Sequence, residues 1–313
     1  MNKTAFLFPG QGAQTVGMGR SLAACDETLA QMFAMADAVV GFPLSTLMWQ
    51  GPEQQLTLTE NTQPALVITA LAACQLLTSR TAIHADFVAG HSLGEYAAIA
   101  AAGGLTPEDA VRLVRLRGQA MQQAVPPGEG GMAVLLNLPA EAVIELCLEA
   151  ATTTAGVCVA ANYNTPQQIV ISGHKRSVEK AVELAKTRGA RRCMMLAVSA
   201  PFHCPLMQPA AQVMADALQK TTLHDLRIPL IANITAQEVT QAETIRHLLV
   251  EQVTGSVRWE ASVRRLIALG VDTFIELGSG SVLTGMIKRI DETVRAVAIC
   301  GPEDIEKTTA LFA

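Results

Sequence analysis

Charge is scarce in this chain. Asp, Glu, Lys and Arg make up 16% of its 313 residues, and the 23 basic residues do not outnumber the 28 acidic ones. A formal net charge of −5 leaves no basic excess, which speaks against nucleic acid or an anionic membrane as a general partner. No apolar run reads as long enough to cross a bilayer. The opening MNKTAFLFPGQG carries one lysine and a short apolar run broken by Pro9 and Gly10. It reads as a first strand, not a signal peptide. The seven cysteines (Cys25, Cys74, Cys147, Cys158, Cys193, Cys204 and Cys300) are odd in number and form no C-x-x-C. Neither a disulfide framework nor a zinc site is expected, and a reducing cytoplasm fits. Low-complexity segments and short repeats are missing too.

Apolar residues, by contrast, are half of the chain. That is enough for a substantial core in one large domain, or a large domain plus a small one. Strand and helix patterns alternate. TAFLF reads as a strand running into the glycine loop PGQGAQ, PALVITALAACQLL as a helix opened by Pro64, DFVAG as a strand and LGEYAAIAAAG as a helix. Thr106-Pro107-Glu108-Asp109 is a helix start, with threonine as N-cap, proline at the first position and acids in the first turn. That helix runs to about Val125.

The middle of the chain changes character. MAVLLNL, EAVIELCLEAA, VCVAANY, QQIVISG, SVEKAVELAKTRG and RRCMMLAVS read in the order βαββαβ, the ferredoxin-like arrangement. The α/β pattern then resumes with AAQVMADALQK, IPLIANI, AETIRHLLVEQV, WEASVRRLIALG and DTFIEL. The expectation is an α/β fold: a discontinuous large domain over residues 1–129 and 200–313 with a parallel sheet, and a small ferredoxin-like domain over 130–199.

FVAGHSLGEYAAIAAAG joins a strand to a helix through Gly90-His91-Ser92-Leu93-Gly94. A serine fenced by glycines at such a join is the pattern of a nucleophile elbow. The turn leaves no room for side chains at Gly90 or Gly94. It presents the Ser92 hydroxyl at a helix N-terminus, where free N–H groups favour developing negative charge. The Leu93 N–H would face an oxyanion formed by attack of Ser92. The alternative is a serine N-cap in a glycine-rich turn. His91 points away from the hydroxyl in such a turn and is given a positioning or packing role. His84, His174, His224 and His247 fall on apparent surface segments, where each is expected to be solvated. His203 lies in LAVSAPFHCPL, past a strand end and stiffened by Pro201 and Pro205. It is the candidate general base, with a structural histidine as the alternative. Cys204 beside it reads as a small buried filler. The acids between Ser92 and His203 mostly fall on helix patterns, so a Ser–His dyad is expected in place of a triad.

One residue sits on the wrong face of its helix. Along PEDAVRLVRLRGQAMQQAV, the period of 3.6 gathers Ala110, Leu113, Val114, Met121 and Ala124 into an apolar stripe. Arg117 falls in the middle of it. A buried guanidinium without a partner is prohibitively costly, so an anion is expected. Either a protein carboxylate forms a structural ion pair, or a substrate carboxylate is held bidentately.

Ser92 in GHSLGEY, Arg117 in RLRGQAM and His203 in SAPFHCPLM, together with FPGQGAQ, QPAL, NYNTPQQIVISGH and ELGSGSVLTGMIKRI, resemble one family. It is that of the malonyl-CoA:acyl carrier protein transacylases of bacterial fatty acid synthesis and the acyltransferase domains of polyketide synthases. The resemblance covers nearly the whole chain. It implies an α/β-hydrolase-like large domain with a ferredoxin-like insert. It implies that Ser92 takes the malonyl group as an ester and that His203 serves as base and then acid. The Gln11 backbone N–H would complete the oxyanion hole with Leu93. The Gln252 backbone carbonyl would orient the histidine, replacing the acid of a triad. Arg117 would clamp the malonyl carboxylate, with Asn162 at the mouth (a turn-capping asparagine is its alternative) and Phe202 in the FH form seen in many malonyl-selective members. The implied reaction is ping-pong exchange from malonyl-CoA to the phosphopantetheine thiol of acyl carrier protein, with no metal or redox cofactor. A monomer is expected. The rival readings are a serine thioesterase, a non-catalytic subunit that docks a carrier protein, and an acyltransferase serving a polyketide synthase or a malonate decarboxylase.

Overall fold

The computed structural model describes residues 3–198 and 200–310. The strands in them are β1 (Lys3–Phe8), β2 (Phe87–Gly90), β3 (Gly130–Leu136), β4 (Cys158–Thr165), β5 (Gln168–His174), β6 (Arg192–Met195), β7 (Leu230–Ile231), β8 (Glu238–Val239), β9 (Val271–Leu277) and β10 (Arg295–Ile299). Six form one sheet in the order β10-β9-β1-β2-β7-β8, and four form another in the order β4-β5-β3-β6. The larger sheet is parallel except for its β7–β8 pair. β1 lies inside it, with Ala5 opposite both Phe87 and Phe274. Helices cover both faces of such a sheet, which is why TAFLF is a continuous apolar run and not an alternating one. The carboxyl ends of β1 and β2 lead into Pro9-Gly10-Gln11 and His91-Ser92. In parallel α/β sheets this is the edge where ligands bind.

Helix Thr59–Arg80 starts earlier than the sequence reading, with Pro64 inside it. Proline has no N–H to give the carbonyl four residues back. Arg115 Nη1 donates to that Glu60 oxygen instead, at 2.8 Å. The same helix corrects the reading of apolar runs. At 22 residues and a mean hydropathy of 1.2 it is long and apolar enough to cross a membrane by length and composition, yet 78% of that apolar window is buried inside the protein. It is a core helix, apolar all round. Helix Pro107–Gln123 packs on it through Gly118, where a Cβ would lie 2.7 Å from the Glu60 Cα. Thr106 caps that helix as expected, accepting from Asp109 N at 3.0 Å.

The four-stranded sheet is antiparallel throughout. Alternation along its strands serves two faces. Ala133, Leu135, Ile169 and Ile171 pack on helices Ala140–Thr154 and Lys175–Thr187, whereas Met132, Val134 and Val170 join the main core. Backbone bonds at Val257 tie this unit to the larger one: Tyr163 N to Val257 O and Val257 N to Ala161 O, both 2.9 Å. Strand β6 takes up only Arg192–Met195 of the pattern RRCMMLAVS, whose last residue lies outside the described residues. Helices Arg20–Ala23, Glu27–Val40, Leu44–Gln50 and Glu53–Leu56, and later Val282–Ile290 and Glu303–Thr309, were not anticipated.

Candidate active site

Ser92 follows β2 at a φ of +53°, left-handed backbone that a serine rarely adopts. The glycines on either side make the turn possible. A Cβ on Gly90 would lie 2.0 Å from the Gly94 carbonyl, and one on Gly94 would lie 2.1 Å from Phe8 O. Asn233, two residues beyond β7, braces the turn. Its Oδ1 accepts from Ser92 N at 2.8 Å and its Nδ2 donates to Gly90 O at 2.7 Å.

The Ser92 hydroxyl lies 2.7 Å from His203 Nε2, and His203 Nδ1 lies 2.8 Å from the Gln252 backbone oxygen. A carbonyl only accepts, so Nδ1 carries the ring proton and Nε2 is free to accept from the hydroxyl. His203 is 3% exposed. Burial, with help from the Arg117 charge, pushes its pKa down from 6.5 to about 3, so the ring is neutral at neutral pH. His203 does not stand at a strand end. β6 stops at Met195, and His203 sits just before the short 3-10 helix Pro205–Met207, at a φ of +58°.

Arg117 is 1% exposed. Its Nη1 donates to Gln63 Oε1 at 3.0 Å, and its Nη2 donates to Gln252 Oε1 at 2.8 Å and to Ser92 Oγ at 3.2 Å. Among the described residues its Nε has no hydrogen-bond partner. No ion pair with a carboxylate is formed by Arg117 among the described residues, in contrast to Arg115, which meets Glu60 at 3.3 Å. The guanidinium thus faces the nucleophile with only neutral oxygen acceptors, and burial lowers its pKa. Tyr96, whose ring centroid lies 5.9 Å from the guanidinium carbon, and then Glu95, linked through Gln252, offset part of that cost.

Ser92, His203, Arg117 and Gln63 line one cavity of about 360 Å³, shared between the two units. Gln11, Leu93, Asn162 and Phe202 line it as well. Among the described residues, neither the Gln11 nor the Leu93 backbone N–H has a hydrogen-bond partner. Asn162 lies within β4, which removes the turn-cap alternative. His91 turns away as expected. Its Nε2 pairs with Asn164 Oδ1 at 2.9 Å, its ring packs on Trp259, and burial lowers its pKa. His174 departs from the reading of a solvated residue: it is half-buried and its Nδ1 accepts from Val157 N at 2.9 Å. Cys204 is fully buried, and its thiol donates to Pro201 O at 3.1 Å. Gln63, Glu95, Asn164 and Asn233 were missed in the sequence, although Glu95 stands three residues after the nucleophile.

A dyad beside an unpaired guanidinium is suited to acyl transfer from an acid-bearing donor. Residues 5–307 match the family described as Acyl transferase domain. The chain belongs to this family. It is 44% identical over 306 residues to the malonyl CoA-acyl carrier protein transacylase of Bacillus subtilis, covering 98% of this chain and 96% of that one. The Escherichia coli K12 protein of the same name is 42% identical over 302 residues, covering 96% and 97%. Among solved structures, the acyl-carrier-protein-S-malonyltransferase of Bartonella henselae superposes with a TM-score of 0.95 at 43% identity, covering 99% of both chains. A malonyl-transacylase solved with a type II polyketide acyl-carrier protein gives 0.96 at 39% identity, covering 99% of this chain and 100% of that one.

Proposed function

We propose that this protein transfers a malonyl group from malonyl-CoA to the phosphopantetheine thiol of acyl carrier protein, through a malonyl ester on Ser92, and so supplies fatty acid synthesis. The observation that carries the substrate choice is Arg117. It is a buried cation 3.2 Å from the nucleophile with no carboxylate of its own.

In the first half-reaction, His203 Nε2 takes the Ser92 proton as Oγ attacks the thioester carbon. The N–H groups of Gln11 and Leu93 hold the oxyanion. The intermediate collapses, the carbon–sulfur bond breaks, and the thiolate of CoA takes the proton from His203. The carrier thiol reverses these steps: it gives its proton to His203, attacks the ester and leaves Ser92 free. The Gln252 carbonyl holds the imidazole in its tautomer. Arg117 clamps the malonyl carboxylate, with Asn162 and Phe202 in the wall of the acyl site. All proton and acyl steps are met by these groups and the two thiols, with no added cofactor. The β4-β5-β3-β6 unit is a ferredoxin-like insert over 130–199 in a hydrolase-like domain of 1–129 and 200–313, in a cytoplasmic monomer.

Arg117→Ala tests the reading. Malonyl transfer is expected to fall by several kcal/mol relative to acetyl transfer, since a buried charge-assisted pair is lost for one substrate only. Lysine is expected to rescue poorly, because a point charge cannot reproduce the guanidinium fork. Equal loss on malonyl-CoA and acetyl-CoA with a lowered melting temperature would make Arg117 structural. On the wild type, CoA release from malonyl-CoA is expected to need a carrier acceptor after the first turnover. Sustained release into water would make the protein a thioesterase. Polyketide carriers are the second acceptor to compare, since one structural relative was solved with such a partner.

A further inference from the structure

Glu95 belongs to none of the roles above, yet it is a carboxylate buried at 2% exposure beside the nucleophile. As an acid in the first turn of helix Gly94–Ala101 it could simply favour the helix dipole. Its contacts argue against that. Its oxygens meet groups outside the helix: Oε1 accepts from Asn233 N at 2.9 Å, and Oε2 accepts from Gln252 Nε2. The Gln252 amide is shared. Its Nε2 also donates to Ser92 O at 2.8 Å, and its Oε1 accepts from Arg117 Nη2 at 2.8 Å.

An amide side chain can face either way, and here the direction matters. Arg117 offers only donors, so Gln252 must show it oxygen. We propose that Glu95 is a positioning residue for substrate choice: its acceptor-only carboxylate locks the Gln252 amide with nitrogen inward and oxygen toward Arg117, and so aims the guanidinium at the acyl site. A glutamine of the same shape could not do this. Facing two donors, the fixed Asn233 N–H and the Gln252 amide, it has one oxygen to give. The amide of Gln252 is the mobile partner, and turning it would set N–H against the guanidinium. This explains why the fold keeps a carboxylate here, where a neutral amide would be cheaper to bury; burial raises its pKa to about 7, and it is acceptor-only above that pH.

The inference rests on Arg117 reading the malonyl carboxylate, and the test separates the two. Ser92 acylation by malonyl-CoA and by acetyl-CoA is measured on Glu95→Gln, with Arg117→Ala alongside. Glu95→Gln is expected to lower malonyl acylation about tenfold to a hundredfold, the scale of a small misplacement of a binding group, and to leave acetyl acylation nearly unchanged. The Gln252 backbone bond to His203 does not depend on the amide. If Arg117→Ala separates the substrates and Glu95→Gln does not, the positioning role is wrong and the clamp stands. If Arg117→Ala fails to separate them, the clamp itself is wrong. If Glu95→Gln does not fold, Glu95→Asp keeps the charge but draws the carboxylate back from the Gln252 amide. The same malonyl-only loss supports the role, and an equal loss on both substrates overturns it.

Discussion

Ser92→Ala is expected to form no acyl-enzyme at all. Wild-type protein mixed with malonyl-CoA should gain one malonyl mass on the peptide that carries Ser92, and the variant should gain none. The reason is geometric. Ser92 Oγ is the hydroxyl within 2.7 Å of the free imidazole nitrogen, at the join of strand and helix where the backbone is strained to expose it. Cys204 is the chemical competitor, one residue from the base. Its sulfur is fully buried against the Pro201 carbonyl, and burial raises its thiol pKa, so it is not held as a thiolate. Mass on the Cys204 peptide instead would sink the assignment. A variant with a normal melting curve and no label on either residue would support it.

His203→Ala is expected to slow acylation of Ser92 by about two to four orders of magnitude, the usual scale of losing a general base. The pH dependence carries more information. An isolated histidine would lose activity as pH falls through its ordinary range. Here burial and the Arg117 charge push the ring down to about 3, so the acid limb of kcat/KM is expected well below that range. Arg117→Ala removes one of those two causes and should move the limb upward. An acid limb in the ordinary histidine range for the wild type would contradict the site as described. The sign for stability follows from the same shift. The unfolded ring binds a proton near 6.5 and the folded one does not until about 3. The contribution is therefore fully present above pH 6.5 and is lost as pH falls toward 3, at about 1.4 kcal/mol per pH unit for one such group. The low pKa also makes the imidazolium a strong acid, ready to protonate the departing thiolate. A bound malonyl carboxylate would offset the Arg117 charge and restore basicity when the base is needed.

The elbow was legible because its cause is local: two glycines, a serine and the change from strand to helix lie within a few residues. Arg117 was legible from the helical period, which marks a charge on an apolar stripe whatever it meets. The larger partners of these residues were not. Gln252 supplies two different groups to Arg117 and His203, and only the backbone one was expected, by resemblance. Asn233 reaches Ser92 across 141 positions of sequence, and nothing in PLIANI announces it. Glu95 was visible in GHSLGEY but reads as an ordinary first-turn acid, since burial is not a property of the sequence around it. Pro64 misplaced a helix start because the donor that replaces its missing N–H comes from another helix. Before Thr59 no helix was read, although Asp26 caps Glu27–Val40 by accepting from Leu29 N, a helix-start signal of the same kind as Thr106.

The pairing of β1 with β9 places Lys3 opposite Val271. The strand that leads into the oxyanion loop is thus enclosed by a segment made long after it. His203 and Gln252 also follow Ser92 by more than a hundred positions. A nascent chain therefore carries Ser92, and soon afterwards Arg117, before the base or the finished sheet exists around them. Contacts so distant in sequence form late and slowly. The serine gains its base and the carbonyl that orients it only when His203 and Gln252 have been made, so a chain still short of them has no means of consuming an activated thioester.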